Sequence, residues 1–318
     1  MASNKNTKPR TEANIQAMLA FLRAKGGDQN EIRAAMILSL EKFKSEHPEP
    51  PPPVLSPVRH PQKDFFIADI LDVSTKDDLA SMEHPLFALK AGDMRVRTYE
   101  RNGNTLTIKP GHDGCATIHD KDVWIYCISQ LVEAMNRGRE DVSRTVRFTA
   151  HDFLVTTNRP TNGGKAGGYA RMADALARLR GTSIETNVVT DGQRERGFFG
   201  LIDSGRVIEH DKTGKAVAVE VTLSDWLYRS VKANQVLTLS PDYFRIRKPI
   251  DRRIYELARK HCGAQRQWQC TLKTLYEKGG STDAIRNFRG SVKTLAESDD
   301  LPDYKVSMTD DLVTFLRR

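Results

Sequence analysis

The last third of the chain places cationic and amide side chains at helical spacing, a combination that can read DNA bases. Arg286, Arg289 and Lys293 fall within one sector of a predicted helix, and Asn287 stands near its start. Arginine pairs bidentately with guanine in the major groove, and asparagine pairs with adenine. Recognition helices contact bases mainly through their N-terminal residues. The predicted base-reading residues are Asp283, Arg286, Asn287 and Arg289.

Further cations near the C-terminus are better placed to contact the DNA backbone. Phosphate contacts fix the register of a protein on the duplex without reading its sequence. The predicted phosphate-binding residues of this region are Lys293, Lys305, Arg317 and Arg318.

A second cationic group lies near the middle of the chain. Arg171 and Arg178 are seven residues apart, which is two helical turns, so they share one helix face. We add three neighbours to this group of DNA-binding candidates: Lys165 in a glycine-rich turn, Tyr169 at the helix start and Arg180 at its end. A basic tract between the two groups also suits phosphates, although a solvated linker would have the same composition. Its cations are Arg245, Arg247 and Lys248.

Apolar periodicity predicts the two helices that carry these groups. The first runs from about Tyr169 to Arg180, and its predicted buried side is Tyr169, Met172, Ala173, Leu176 and Leu179. The second is capped by Ser281 or Thr282 and ends near Glu297, with a predicted buried stripe of Ile285, Phe288, Val292 and Leu295. An exposed helix face is normally charged, so either helix alone is equally well explained as a solvated face. Two such helices, each between a glycine turn and a hairpin, favour DNA contact.

The same order of elements is predicted twice: helix, short strand, short helix, turn, long helix and β-hairpin. In the first copy, Asp120 is predicted to cap the leading helix, and 198–209 reads as one strand, bent along its length. This order is that of the winged helix, and the strand-like sequence after each long helix favours it over a bare three-helix bundle. The predicted fold class is α+β, with tandem winged-helix (helix-turn-helix) domains and an N-terminal helical extension. The predicted segments are the extension 1–46, a proline-rich linker 47–61, and domains 62–238 and 239–318.

Charge and composition narrow the class of partner. The net charge is +8, and positive charge collects in residues 144–199, net +4, and 241–318, net +5. These blocks contain both predicted DNA-contacting helices, which favours a polyanionic partner. No stretch approaches the roughly 20 apolar residues of a membrane span, and the N-terminus lacks the apolar core of a signal peptide. The four cysteines form no C-x-x-C pair, so we expect a reducing compartment.

Catalytic and metal-binding patterns are not found in the sequence. No His-x-His triplet of the kind used by rolling-circle nucleases occurs, and His261, Cys262 and Cys270 lack the paired spacing of a zinc finger. The Gly-Lys pair before Ala216 lacks the Ser or Thr of a phosphate loop. We therefore expect no enzymatic activity, no metal and no cofactor.

Several stretches resemble the plasmid replication initiators of the Rep type, most closely the replication initiator protein A family. The resemblance covers about residues 60–318 and rests on the segments 64–69, 82–89, 169–182, 239–244 and 252–260. It implies tandem winged-helix domains that bind repeated double-stranded DNA sites, called iterons, at a plasmid origin. It also implies origin opening, recruitment of host helicase and primase, and exchange between a homodimer and a monomer.

Three other functions remain open at this point. A DNA-binding transcriptional repressor, which could be autoregulatory, needs the same recognition helices without an initiation role. An origin-nicking enzyme and a protein-interaction scaffold built on residues 1–61 are the others.

Overall fold

The computed structural model of the protein describes residues 73–101, 103–162, 167–187, 197–209 and 216–318. These residues all belong to one compact unit. The predicted N-terminal extension, the proline-rich linker and Lys165 lie outside the described residues. The proposed boundary between residues 238 and 239 stays a prediction.

The described residues form helices and antiparallel sheets. The helices are α1 (Leu79–Glu83), α2 (Lys121–Asn136), α3 (Ala150–Thr156), α4 (Gly168–Gly181), α5 (Asp225–Lys232), α6 (Pro249–Cys262), α7 (Leu272–Gly279) and α8 (Ile285–Ser298). The strands are β1 (Lys76–Asp78), β2 (Arg97–Arg101), β3 (Asn104–Lys109), β4 (Thr145–Phe148), β5 (Ser183–Thr186), β6 (Gly197–Gly200), β7 (Ile202–Glu209), β8 (Ala216–Leu223), β9 (Val236–Thr238), β10 (Gln267–Thr271), β11 (Tyr304–Thr309) and β12 (Leu312–Arg317). A short 3-10 helix covers Pro241–Arg245.

The first repeat consists of α2, β4, α3, α4, β7 and β8. Its strands form a three-stranded sheet in the order β4-β8-β7, with antiparallel pairing throughout. The core of the repeat contains Trp124, which packs edge-on against Phe87 with ring centroids 5.2 Å apart. The indole Nε1 of Trp124 donates to the Leu201 carbonyl at 2.9 Å, so this buried donor is satisfied.

Two strands of an additional sheet, β5 and β6, interrupt the first repeat between α4 and β7. This sheet is four-stranded, in the order β2-β3-β5-β6. The prediction of one bent strand over 198–209 is therefore wrong, because β6 and β7 belong to different sheets. The chain turns sharply between them: a Cβ on Gly200 would lie 2.7 Å from the Ile202 carbonyl oxygen, a close approach that only glycine permits. Leu201, between the strands, is fully buried.

The second repeat consists of α6, β10, α7, α8, β11 and β12. Its sheet has the order β10-β12-β11, the same arrangement of first, third and second strands as in the first repeat. Helix α6 begins at Pro249, which occupies its first turn, where the missing N–H costs nothing. Helix α7 ends at Gly280, whose φ of +64° is the left-handed conformation expected of a glycine cap.

Two predicted helix caps are not formed by the residues that the sequence suggested. Asp120 precedes α2 but makes no side-chain cap. Its carboxylate instead accepts from the Thr117 N–H at 2.8 Å. Helix α8 begins at Ile285 with Ala284 as its N-cap, rather than at Ser281 or Thr282. The Ser281 hydroxyl binds the Asp283 N–H within the preceding loop, which delays the helix by one turn.

Buried ion pairs join the two repeats. Lys121, the first residue of α2, is fully buried, and its Nζ lies 2.6 Å from Asp77 Oδ2 and 3.0 Å from Glu256 Oε1 on α6. Beside this cluster, Arg252 on α6 pairs with Asp122 on α2. Breaking a buried pair is strongly destabilising because an uncompensated charge remains. The cluster therefore fixes α6 against α2, and with them the relative position of the two repeats.

Candidate nucleic-acid interface

Helix α4 presents one free arginine near its N-terminal end and holds another in an ion pair. Met172, Leu176 and Leu179 are buried in the core, as predicted. Arg171 is exposed, and its guanidinium has no partner among the described residues. Arg178 instead binds Asp120, with Nε 2.8 Å from Oδ2. Arg178 thus ties α4 to the start of α2, and Arg171 is the cation left free to contact a ligand.

The remaining candidates of the first group lie at the margins of α4. Arg180 is exposed near the end of the helix. Tyr169 is half-buried and packs against the core of the first repeat. The prediction that Ala173 is buried is wrong: it is exposed, because its position falls just outside the apolar stripe that contains Met172 and Leu176.

Helix α8 repeats the pattern of α4. Phe288, Val292 and Leu295 are buried, and Arg286, Asn287 and Lys293 are exposed, as their predicted roles require. The prediction that Ile285 belongs to the buried stripe is wrong, since it is 45% exposed. Ile285 is the first residue of the helix and therefore precedes the turn that packs on the core.

Arg289 and Asp283, two predicted base readers, already have intramolecular partners. Arg289 Nη1 donates to the Asp310 carbonyl at 3.0 Å, and its Nη2 pairs with Asp311 in the turn between β11 and β12. Asp283 precedes α8, and its carboxylate pairs with Lys90. Arg289 therefore joins α8 to the terminal hairpin.

The candidate phosphate-binding residues form two surface groups. In the segment between the repeats, Lys248 is exposed, Arg245 pairs with Asp242 at 3.0 Å, and Arg247 Nη1 donates to the Asn158 carbonyl at 3.3 Å. In the terminal hairpin, Lys305 and Arg317 are exposed. Arg318 Nη2 lies 2.7 Å from Asp299 Oδ1, so the last residue is anchored to the end of α8.

Several charged residues at the junction of the repeats were missed in the sequence. Arg159 and Arg252 share the carboxylate of Asp122, which lies near the start of α2. Arg253 donates to the backbone carbonyls of Ser81 and Met82 at 2.9 and 3.0 Å. No local spacing identifies their contacts with Asp122, Ser81 and Met82, because these partners are distant in sequence. The nearest signal in the sequence is that α6 contains more arginines than a solvated helix face requires.

Metal-binding and membrane-spanning features were also sought. Among the described ranges, no group of three or more His, Cys, Asp or Glu side chains is arranged to hold a metal ion. The four cysteines are free thiols, and burial raises the pKa of Cys270 to about 11. No helix in the described part of the chain is long and apolar enough to cross a membrane.

Comparison with known proteins identifies the family. The family model described as Replication initiator protein A matches residues 76–306, which include elements of both repeats. The chain belongs to the Replication initiator protein A family. This family member is also 42% identical over 261 residues to a protein of Wigglesworthia glossinidia brevipalpis described as "Putative replication protein". That alignment covers 80% of this chain and 94% of the relative.

Solved structures show a similar mixed α+β fold. Crystal structures of RctB domains 2-3 resemble this Replication initiator protein A family member with TM-scores of 0.51 and 0.50, at 10% sequence identity in both cases. The matches cover 72% and 70% of this chain, and 93% and 90% of the RctB chains. The family match supports a role in the initiation of DNA replication, and hence DNA binding.

Proposed function

We propose that the protein initiates replication of a plasmid by binding repeated double-stranded sites at its origin through two winged-helix units. The observation that carries this proposal is the repetition of one element order with one sheet order. In each repeat, the third helix has an exposed arginine near its N-terminal end, Arg171 in α4 and Arg286 in α8. A helix presented in this way fits the major groove, and its first turns reach the base edges.

The buried ion pairs between the repeats also support tandem binding. Because Lys121, Asp77 and Glu256 hold α2 against α6, the two third helices are offered to DNA at a fixed separation. A linked second unit binds at a high effective concentration once the first is engaged. Because the separation of the two third helices is fixed, both can bind at once only to DNA whose two half-sites have the matching spacing. Repeated origin sites with one constant spacing have this property.

Specific binding is tested by gel shifts with Arg286→Ala on origin DNA and on an unrelated duplex. Loss of one good base contact costs about 1–3 kcal/mol, so this variant should weaken specific binding roughly 5- to 150-fold and affect unrelated DNA much less. Arg289→Ala should act less directly, since this side chain holds the terminal hairpin. The matched control is Lys232→Ala, which removes an exposed cation from α5. Equal losses on both DNAs would refute base reading by α8.

Initiation is distinguished from repression by transformation. A plasmid that carries the origin should replicate when the protein is supplied and fail with Arg286→Ala. A protein that protects the DNA beside its own gene but supports no replication is a repressor. We further propose recruitment of host helicase and primase and exchange between monomer and homodimer, which are measured by pull-down and by sedimentation.

We propose that the protein acts by binding alone, without a catalytic centre. Supercoiled plasmid incubated with the protein and Mg²⁺ or Mn²⁺ should remain unnicked. A relaxed product that disappears on substitution of a single tyrosine would establish an origin-nicking enzyme instead.

A further inference from the structure

A small cavity lies at the junction of the two repeats, beside the start of α4. Its volume is about 110 Å³, a few times the roughly 30 Å³ that one water occupies in the liquid. It therefore accommodates a phosphate-sized group rather than a whole nucleotide. Four arginines line it, namely Arg159, Arg171, Arg247 and Arg252, and none of the described residues that line it is acidic.

The charges around this cavity are unbalanced. Asp122 is fully buried behind the cavity wall and pairs with Arg159, with Nη2 2.6 Å from Oδ2, and with Arg252. One carboxylate thus offsets one of four positive charges. Arg247 makes a single long hydrogen bond, to the Asn158 carbonyl at 3.3 Å, among the described residues. A concave site with this excess of positive charge attracts anions, and the planar guanidinium fork matches phosphate oxygens.

His119 adds a neutral hydrogen-bonding group to the same cavity. Burial, followed by the positive charges of Arg252 and Arg159, lowers the pKa of His119 to about 4. The imidazole is therefore neutral near pH 7 and can donate through one ring nitrogen. A bound anion would favour the charged form and raise this pKa. His119 consequently reports whether the cavity is occupied.

We propose that this cavity binds one phosphate group, held jointly by Arg171 of the first repeat and Arg247 of the segment that enters the second. Arg159 and Arg252 are anchored on Asp122 and supply positive potential from behind. The inference rests on the proposed function for the natural source of the phosphate, which is then the DNA backbone between the two third helices. Free phosphate or pyrophosphate presents the same chemistry, and the experiments distinguish these sources.

The DNA arm measures how binding depends on salt concentration for Arg171→Gln, Arg247→Gln and the double variant. Neutralising one phosphate contributes about −0.9 to the slope of log K against log salt. Each single variant should reduce the magnitude of this slope by up to about 0.9 on origin and unrelated DNA alike, because a phosphate contact reads no sequence. The double variant should also lose about 0.9, since both arginines hold the same phosphate. Lys232→Gln is the charge-matched control on α5.

The free-anion arm follows the His119 ring resonances by NMR during pH titrations with and without pyrophosphate. Pyrophosphate should raise the pKa of His119 in the original protein and in Lys232→Gln, and leave it unchanged in the double variant. This result would support the cavity even if the protein bound no origin DNA, so failure of the proposed function is distinguishable. Pyrophosphate binding without a change in the DNA slopes would assign the site to a free anion.

Two results would overturn the proposal. In the first, neither the salt slope nor the His119 titration of the double variant differs from those of Lys232→Gln. In the second, the double variant loses about twice the slope of each single variant and pyrophosphate leaves His119 unchanged, which would place the two arginines on separate phosphates.

Discussion

Replacement of Lys121 by methionine should be the most damaging single change in the junction between the repeats. Methionine keeps most of the side-chain volume but removes the ammonium group that lies 2.6 Å from Asp77 and 3.0 Å from Glu256. All three side chains are buried, so no solvent can replace the lost partner. Breaking a buried pair by removing one member costs about 3–5 kcal/mol, a large share of the roughly 5–15 kcal/mol that stabilises an ordinary domain.

The cost should depend on pH through Asp77. Burial, only partly offset by Lys121, raises the pKa of Asp77 from 3.8 to about 8. Below that pH the folded protein keeps this carboxyl protonated, and Glu256 retains Arg253, 3.2 Å away, after Lys121→Met. At pH 9 the variant must leave the Asp77 carboxylate without its cation or take up a proton. The loss of stability should therefore be larger at pH 9 than at pH 6.

Urea unfolding of the full chain at both pH values measures this effect. Lys232→Met is the control, because a substitution at an exposed site usually changes stability by at most about 0.5 kcal/mol. The double variant Lys121→Met/Asp77→Asn should recover part of the loss at pH 9, since it removes one orphaned charge with its partner. A loss below about 1 kcal/mol at pH 9, or no recovery in the double variant, would contradict the account of a buried ionic junction.

Three further predictions concern other parts of the junction and the cysteines. Burial alone would raise the pKa of Glu83, but contacts from His261, Lys260 and Lys278 outweigh it and hold this pKa far below its ordinary value. The stabilisation of the fold by the Glu83 carboxylate is therefore present above pH 4.5 and lost in acid. In urea titrations, Glu83→Gln should cost about 1.5–3 kcal/mol at pH 7 and nearly nothing at the lowest pH. Gly280→Ala should lower stability by about 1–3 kcal/mol, because a Cβ there would meet Pro85 at 2.4 Å in a left-handed conformation; an unchanged melting temperature would contradict this. Burial raises the pKa of Cys127 far above its ordinary value, so iodoacetamide at pH 8 should label this thiol only in urea, as mass spectrometry can show.

The sequence predicted the repeated element order because each repeat is built from local signals. The prediction of a helix from about Tyr169 to Arg180 is confirmed to within one residue at each end, since apolar periodicity and turn residues act within a few positions of themselves. The joining of strands into the additional sheet was not predicted, because β3 and β5 pair across more than 70 residues, as Leu106 does with Thr186. Tertiary contacts of this kind leave no local pattern.

The sequence identified the cations of the candidate interface, but not which of them are held in ion pairs. Helical spacing identified Arg171 and Arg286, which are exposed, as well as Arg178 and Arg289, which are held by Asp120 and Asp311. All four are arginines that the sequence places on the outward faces of their helices. The difference arises from acidic partners on other elements, about 60 and 20 residues away, and spacing within one helix cannot reveal them.

The pairing of β1 with β9 has a consequence for synthesis of the protein. Lys76 faces Thr238 across this two-stranded sheet, so the strands that precede and follow the first repeat pair with each other. During translation, β1 remains unpaired until β9 has been synthesised. In the second repeat, by contrast, all paired strands lie within one short stretch of sequence. Closing a long loop delays folding more than local pairing does, and domains fold as units during translation. The nascent N-terminal portion therefore exposes an open strand edge until β9 has been synthesised.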